Sequence, residues 1–370
     1  MKNLRQLHII RGLAALYVAI GHAKVVFWSG GQDYLQQYPR SEWGVLDYGL
    51  FALDMASSAA QEFVIVFFLL SGFFIAFSFD RNNWTIKSFL VNRMLRIYPP
   101  YLFSAILAVL VFGFIGYYNE YLFSPDIDKA INFRMRNSYN ELNWETTLRS
   151  LFFLPNKDYI AGNFSYWSLL PEWLFYIMVP FVITKRKIMV SIFAIFFVVD
   201  LTFFHIGHSH LWLFVSRYGF YFFLGAIFFD FVKSDKWRPY LKSSILSYLA
   251  VFILLMSTIG LGILEYKPWS HLSACALTMV AILTMLKYPV EQKIVYRLGV
   301  FLGDISYSLY VLHLPIYYFL LAILTKETGI YMYYSRIYWL MIPIAVLLSY
   351  VGYLLVEKQS ITWIKRLKRN

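Results

Sequence analysis

Long apolar runs, broken by short polar and basic stretches, recur from one end of the chain to the other. The runs fall near 8–28, 61–80, 98–118, 166–183, 188–206, 211–231, 241–263, 269–286, 302–325 and 337–356. Each is close to the length of about 20 residues that an α-helix needs to cross the hydrocarbon core of a bilayer. None alternates with period two, as a lipid-facing barrel strand does. In lipid a segment must pair its own backbone amides, so these runs predict helices. The pattern therefore predicts an all-α polytopic integral membrane protein with about ten transmembrane helices.

Composition agrees and removes other classes. Charged residues make up 15% of the 370 positions and apolar ones 59%, against about 25% charged in an ordinary soluble domain. A soluble enzyme, a disulfide-built secreted scaffold and a disordered chain are excluded. The net charge of +12 is not a nucleic-acid signal, because the basic residues lie in clusters between apolar runs, where topology signals belong. With the N-terminus inside, 21 Lys and Arg lie in inner segments and 10 in outer ones. That asymmetry predicts both termini in the cytoplasm and a multi-pass place in the cell inner membrane. The first run reads as a retained helix and not a cleaved signal, since Arg11 interrupts its apolar start and no small-x-small site follows. The single cysteine, Cys275, permits no intramolecular disulfide and reads as a small buried filler.

Residues 1–370 read as a single transmembrane domain without internal repeats and with no appended soluble domain. Two outer loops are long, about 29–60 and about 119–165, the second with an aromatic and charged run from Tyr139 to Trp144. They suit a lid, an acceptor-binding platform or plain solvated linkers. The short basic tail after Glu357 suits an inner-leaflet anchor.

Ionisable residues inside spanning helices are costly and call for a partner or a function. Arg11 and His22 are eleven residues apart, three turns plus about 20°, so they share one helix face about 16 Å apart. Glu172, Asp200 and Arg217 fall at a depth similar to His22. Asp200 and Arg217, on consecutive helices, suit a structural ion pair. Glu172 could orient the imidazole of His22 and raise its basicity, though His22 could equally be a packed histidine. Arg93 and Arg96 read either as inside-facing anchors or as a phosphate clamp. Ser71 and Gly72 read first as a close helix contact. His313, beside Pro315, reads as packing. His205, His208 and His210 are only a weak metal signal, and no metal is expected.

Five motifs in order give a resemblance that covers nearly the whole chain. They are IIRGLAALYVAIGHA with Arg11, ten residues and His22; FFLLSGFFIA at 67–76; NRMLRIYPPYLF at 92–103; YWSLLPEWLFY at 166–176; and LGDISYSLYVLHLPI at 302–316. Together they resemble acyltransferase family 3, the integral membrane acyltransferases. The resemblance implies transfer of an acyl group, commonly acetyl, from cytoplasmic acyl-CoA to a carbohydrate hydroxyl of a surface or exported glycan. It implies essential roles for Arg11 and His22, and carries substrate-binding roles to Ser71, Gly72, Arg93 and Arg96. Glu172 takes the position of the family's acidic residue, with Pro171 before it where another residue is common. On this reading acetyl-CoA is a co-substrate, no cofactor is permanently bound, and the acceptor is a carbohydrate or glycolipid. Its charged nucleotide would lie near Arg11, Arg93 and Arg96, and its thioester near His22, the general base. The rivals are a transporter or flippase of glycan intermediates and a non-catalytic assembly partner.

Overall fold

The computed structural model describes residues 4–28, 35–36, 38–127, 129–156, 158–204, 210–326 and 338–367. Among the described residues every regular element is helical. Eight helices among these residues are long and apolar enough to cross a membrane, so the chain is an all-α polytopic membrane protein. Two of the ten apolar runs form shorter elements. Residues 166–183 begin as a 3-10 turn, Phe164–Ser168, and continue as a helix of 14 residues, Leu169–Val182. Residues 188–206 form a helix of 14 residues, Arg186–Val199, that passes into a π-helical turn, Asp200–Phe204. Fourteen residues rise only about 21 Å, short of the roughly 30 Å hydrocarbon core.

A further difference lies at Pro99 and Pro100, where the apolar pattern starts its third run. The helix is continuous over Ile86–Tyr118, 33 residues, with both prolines inside it. Arg93 and Arg96 therefore sit on the helix itself. Proline's φ is compatible with a helix; its missing N–H and the crowding of its ring against the carbonyl four residues back weaken the ladder there without ending it.

The chain divides into two compact units, each built from three separated segments. The first comprises Met1–Tyr17, Ser58–Arg93 and Pro171–Ser306. It contains the start of α1 (Leu7–Phe27), α2 (Ala60–Arg81), α3 (Leu211–Lys233) and α4 (Lys293–Asp304). Glycines let these helices touch backbone to backbone. A Cβ on Gly72 of α2 would lie 1.8 Å from the Phe222 carbonyl oxygen of α3, and one on Gly225 would lie 2.0 Å from that of Leu69. Gly12 of α1 and Gly303 of α4 make a second crossing, with a Gly12 Cβ 2.5 Å from the Gly303 nitrogen. Small residues are how helices approach closely where lipid removes the hydrophobic drive. Cys275 is buried here as a free thiol.

The second unit comprises Val18–Ser57, Met94–Leu170 and Tyr307–Asn370. Its centre is α5 (Ser306–Thr325), which is buried on all sides from Tyr307 to Tyr318. Polar side chains knit the rest of the unit to it. The Ser104 hydroxyl donates to the Val311 carbonyl, the Asn163 amide donates to the same oxygen at 3.1 Å, and Tyr317 donates to Ala19 O at 3.1 Å. Glu357 accepts from the Ser308 backbone N–H at 3.0 Å and its hydroxyl at 2.6 Å. A carboxylate there meets the free amides at the N-terminus of α5.

Candidate active site

The second unit holds His22, on the second half of α1. Its Nδ1 lies 2.7 Å from Nε2 of His313, and the rings are inclined by 28° with centroids 4.9 Å apart. His313 is fully buried, and its own Nδ1 is 2.9 Å from the Leu309 carbonyl oxygen. A carbonyl only accepts, so Nδ1 of His313 carries the proton. In the neutral ring that an apolar interior favours, Nε2 then offers a lone pair. His22 must therefore donate from Nδ1, which leaves its Nε2 lone pair for an incoming proton. His22 is itself only half-buried. The pair thus has a defined direction: a closed ring behind, a partly accessible basic nitrogen in front.

Three residues from the segment between the long helix Ile86–Tyr118 and the helix Leu169–Val182 complete this surround. The Phe164 ring stands edge-on to His22 with centroids 4.7 Å apart, and the Arg134 guanidinium lies 4.7 Å over Phe164. Asp158 faces Arg134 Nε at 3.5 Å. Burial pushes the Asp158 carboxyl above its usual value; Arg134 and the hydrogen bonds from the Tyr159 N–H and the Ser138 hydroxyl pull it back.

The first unit holds Ser71, Glu172 and Arg93. Tyr176 donates its hydroxyl proton to Glu172 Oε1, in a short hydrogen bond. With that proton engaged, the contact of 3.0 Å between Ser71 Oγ and the Tyr176 oxygen is a donation from Ser71. Ser71 thus ends a chain running Ser71 to Tyr176 to Glu172, with its proton directed at a phenol and not at a base. The Arg93 guanidinium lies 5.3 Å over the Phe89 ring and 5.4 Å over that of Tyr176. Gly72, named with Ser71 as a substrate contact, takes its place in the crossing with α3. Arg11 is half-buried beside Gly12 on α1, and Arg96 is half-buried on the long helix that carries Arg93. Arg217 Nε meets Asp200 Oδ2 at 2.5 Å in a buried ion pair. His205 and His208, and the side chain of His210, lie outside the described residues.

A family model described as an acyltransferase domain matches residues 4–357. The chain belongs to acyltransferase family 3. The match spans both units and every motif described above. No curated protein and no solved structure matches the chain. Family membership makes this a membrane acyltransferase, with the bilayer and an acyl donor as its partners.

Sequence reasoning missed several residues around the family's histidine. His313 carried a signal, being a buried histidine beside a proline, but Glu172 was the partner assigned to His22. Arg134, on the helix Ala130–Asn140, Asp158 and Phe164 lie in a segment whose polarity resembles that of any connecting segment. Tyr176 ends the motif at 166–176, but as one aromatic among 30 tyrosines and 35 phenylalanines it is marked out there only by its four-residue spacing from Glu172.

Proposed function

We propose that this acyltransferase moves an acyl group, acetyl in the first instance, from acyl-CoA to a carbohydrate hydroxyl of a surface or exported glycan. It acts from the inner membrane with both termini in the cytoplasm. The observation that supports this most is the directed His22–His313 pair, which leaves one basic nitrogen partly accessible beside outer-loop residues.

In this reading His22 Nε2 takes the proton of the acceptor hydroxyl as its oxygen attacks the thioester carbonyl. The tetrahedral adduct collapses, the carbon–sulfur bond breaks, and the CoA sulfur leaves with the proton now on His22. Protons balance, and His22 returns to its starting state. The imidazolium that forms in between is stabilised because Nδ1–H already donates to His313. A thioester is an activated acyl donor, so positioning and one base account for most of the acceleration. Arg11 and Arg93 take the donor's phosphates, for which guanidinium forks are suited. Glu172 acts through Tyr176 and Ser71, keeping that stretch of the first unit ordered beneath Arg93.

The test is mass spectrometry of the host's surface glycans in three strains: gene deleted, wild type restored, and His22→Ala restored at matched membrane abundance. The acyl group is expected to return with wild type only. Full restoration by His22→Ala would remove His22 as the base. Unchanged acylation with altered glycan export would favour a transporter.

A further inference from the structure

We propose that Arg134 is an acceptor-binding residue, its guanidinium fork holding two neighbouring oxygens of the sugar whose hydroxyl meets His22. This rests on the acyltransferase reading above and adds the acceptor subsite to it.

Phe164 is the common neighbour of a cation and the base. Arg134 Cζ lies 4.7 Å over its ring, and the His22 ring is 4.7 Å from it, edge-on. The Nε of Arg134 faces Asp158 at 3.5 Å, longer than a hydrogen bond. Among the described residues its two terminal amino groups donate to nothing, and the side chain is exposed, so they are accessible to a ligand. The next arginines along the chain are engaged: Arg136 donates to Ser124 O at 3.0 Å, and Arg149 to Glu145 at 2.9 Å. Arg149 bonds through Nε and so also leaves its terminal amino groups open; what sets Arg134 apart is that its guanidinium lies over Phe164, the ring that stands against His22, and is steered by a carboxylate.

The chain is held so that this arrangement persists. Ala161 (φ 48°, ψ 42°) and Gly162 (φ 63°) are consecutive left-handed residues just before Phe164. A non-glycine residue stays in that conformation only when its surroundings impose it. Here Tyr318 of α5 donates to Gly162 O at 2.8 Å, and Asn163 donates to Val311 O of α5 at 3.1 Å. The helix that carries His313 therefore also sets the turn that presents Phe164. Asp158, at the start of the same segment, accepts from the Tyr159 N–H at 2.8 Å, which directs its second oxygen at Arg134.

A planar fork reads two adjacent oxygens, so the ligand chemistry is a vicinal diol or the carboxylate of an acidic sugar. Arg134 sits on the helix Ala130–Asn140, within the segment expected outside, and covers the ring that stands against His22, which suits the acceptor. Asp158 is a positioning residue that acts through Arg134.

The experiment uses the full chain in lipid nanodiscs, acetyl-CoA as donor, and the producing organism's glycan stripped of esters by mild alkali as acceptor. A carboxyl-reduced preparation of that glycan forms a second arm. Arg134→Gln is expected to raise the acceptor KM at least about tenfold, and Arg134→Lys less, with donor KM within about twofold of wild type. Asp158→Asn should raise the acceptor KM by a smaller factor, and Arg136→Gln should match wild type. An effect confined to the native glycan identifies a carboxylate; one that persists after reduction identifies a diol. Either supports the proposal. A normal acceptor KM in both Arg134 variants overturns it, and so does a loss carried wholly by kcat, which would place Arg134 on the reacting carbonyl. If Arg134→Gln fails to insert, Arg134→Lys, which keeps the charge and loses the fork, decides. A wild type that transfers no acetyl brings down the acyltransferase reading itself, an outcome distinct from failure of the Arg134 variants alone.

Discussion

Nδ1 of His22 lies 2.7 Å from Nε2 of His313, while His313 Nδ1 lies 2.9 Å from the Leu309 carbonyl oxygen. The carbonyl cannot donate, so the proton order along this row of atoms has one sense. Each proton points away from Nε2 of His22. When that nitrogen takes a proton, the new charge is shared with a second imidazole and then with a backbone dipole. In the proposed general-base role of His22, His313 would take the part that a carboxylate plays in many general-base pairs, without adding a second charge.

This predicts a graded response at position 313. His313→Ala removes the acceptor for Nδ1–H and lets the His22 ring turn. General-base catalysis contributes about 10²–10⁴-fold, so a fall in kcat of at least about tenfold is expected, with donor KM little changed. His313→Gln can still accept from Nδ1–H and should recover part of the rate. Steady-state kinetics with acetyl-CoA check both. Equal loss of kcat in the two variants, or a loss seen only in donor KM, would show that His313 is a packing residue.

Gly72 gives a prediction that separates packing from chemistry. Its missing Cβ would lie 1.8 Å from the Phe222 carbonyl oxygen, and that of Gly225 would lie 2.0 Å from the Leu69 oxygen. Both clashes are with backbone, which cannot rotate aside. Gly72→Ala and Gly225→Ala should each destabilise the protein by about 1–3 kcal/mol or more through overpacking. Ser71→Ala, one residue away, removes only a hydroxyl and should leave stability close to wild type. Thermal unfolding in one detergent compares the three. A Gly72→Ala protein that melts normally but no longer binds donor would move Gly72 from the helix crossing to the substrate.

How much of this was legible in the sequence follows from what kind of signal each feature leaves. Spanning helices leave a long, one-dimensional signal, and the apolar runs fell on all eight of those found among the described residues, although the helices Ile86–Tyr118 and Tyr338–Arg366 extend well beyond their runs at one end. The exceptions were runs whose ends are not α-helical: residues 164–168 form a 3-10 turn, and residues 200–204 a π-helical one. Apolar composition does not distinguish these from an α-helix. The continuous helix through Pro99 and Pro100 was missed because proline is ordinarily read as a boundary. For the site, spacing along one helix is visible, as with Arg11 and His22. A partner 291 positions away is not, which is why depth alone suggested Glu172 for His22 while the ring that meets its Nδ1 is His313. The strained turn at Ala161 leaves no mark either, since alanine gives no hint of a left-handed φ.

Tyr176 should matter through its hydroxyl alone. It stands between Ser71 at 3.0 Å and the Glu172 carboxylate, with Arg93 over its ring at 5.4 Å. Tyr176→Phe keeps the ring and the stacking but leaves Glu172 without its donor and Ser71 without its acceptor. Glu172 and Ser71 are half-buried, so the loss of their partner costs less than the about 1–3 kcal/mol of a fully buried group, and is expected to loosen the contacts beneath Arg93. The expected result is a rise of about threefold to tenfold in donor KM with acceptor KM unchanged. If acceptor KM moves instead, the Ser71–Tyr176–Glu172 chain serves the acceptor.

Asp200 and Arg217 allow a test in which one substitution should repair another. Their ion pair, 2.5 Å from Nε to Oδ2, joins two π-helical turns, Asp200–Phe204 and Phe214–Tyr218, and the Asp200 side chain is only 1% exposed. Among the described residues the second carboxylate oxygen, Oδ1, is buried without a partner. A buried pair of this kind contributes little net stability, but removing one member strands the other charge, at a cost of about 3–5 kcal/mol. Asp200→Leu and Arg217→Met are therefore each expected to lower the melting temperature and the membrane abundance sharply. The double variant removes both charges and should return close to wild type, a coupling of several kcal/mol in a double-mutant cycle. Acyl transfer by the double variant then separates structure from chemistry. Normal kinetics with restored stability makes the pair structural, whereas restored stability without activity would give Asp200 or Arg217 a part in the reaction.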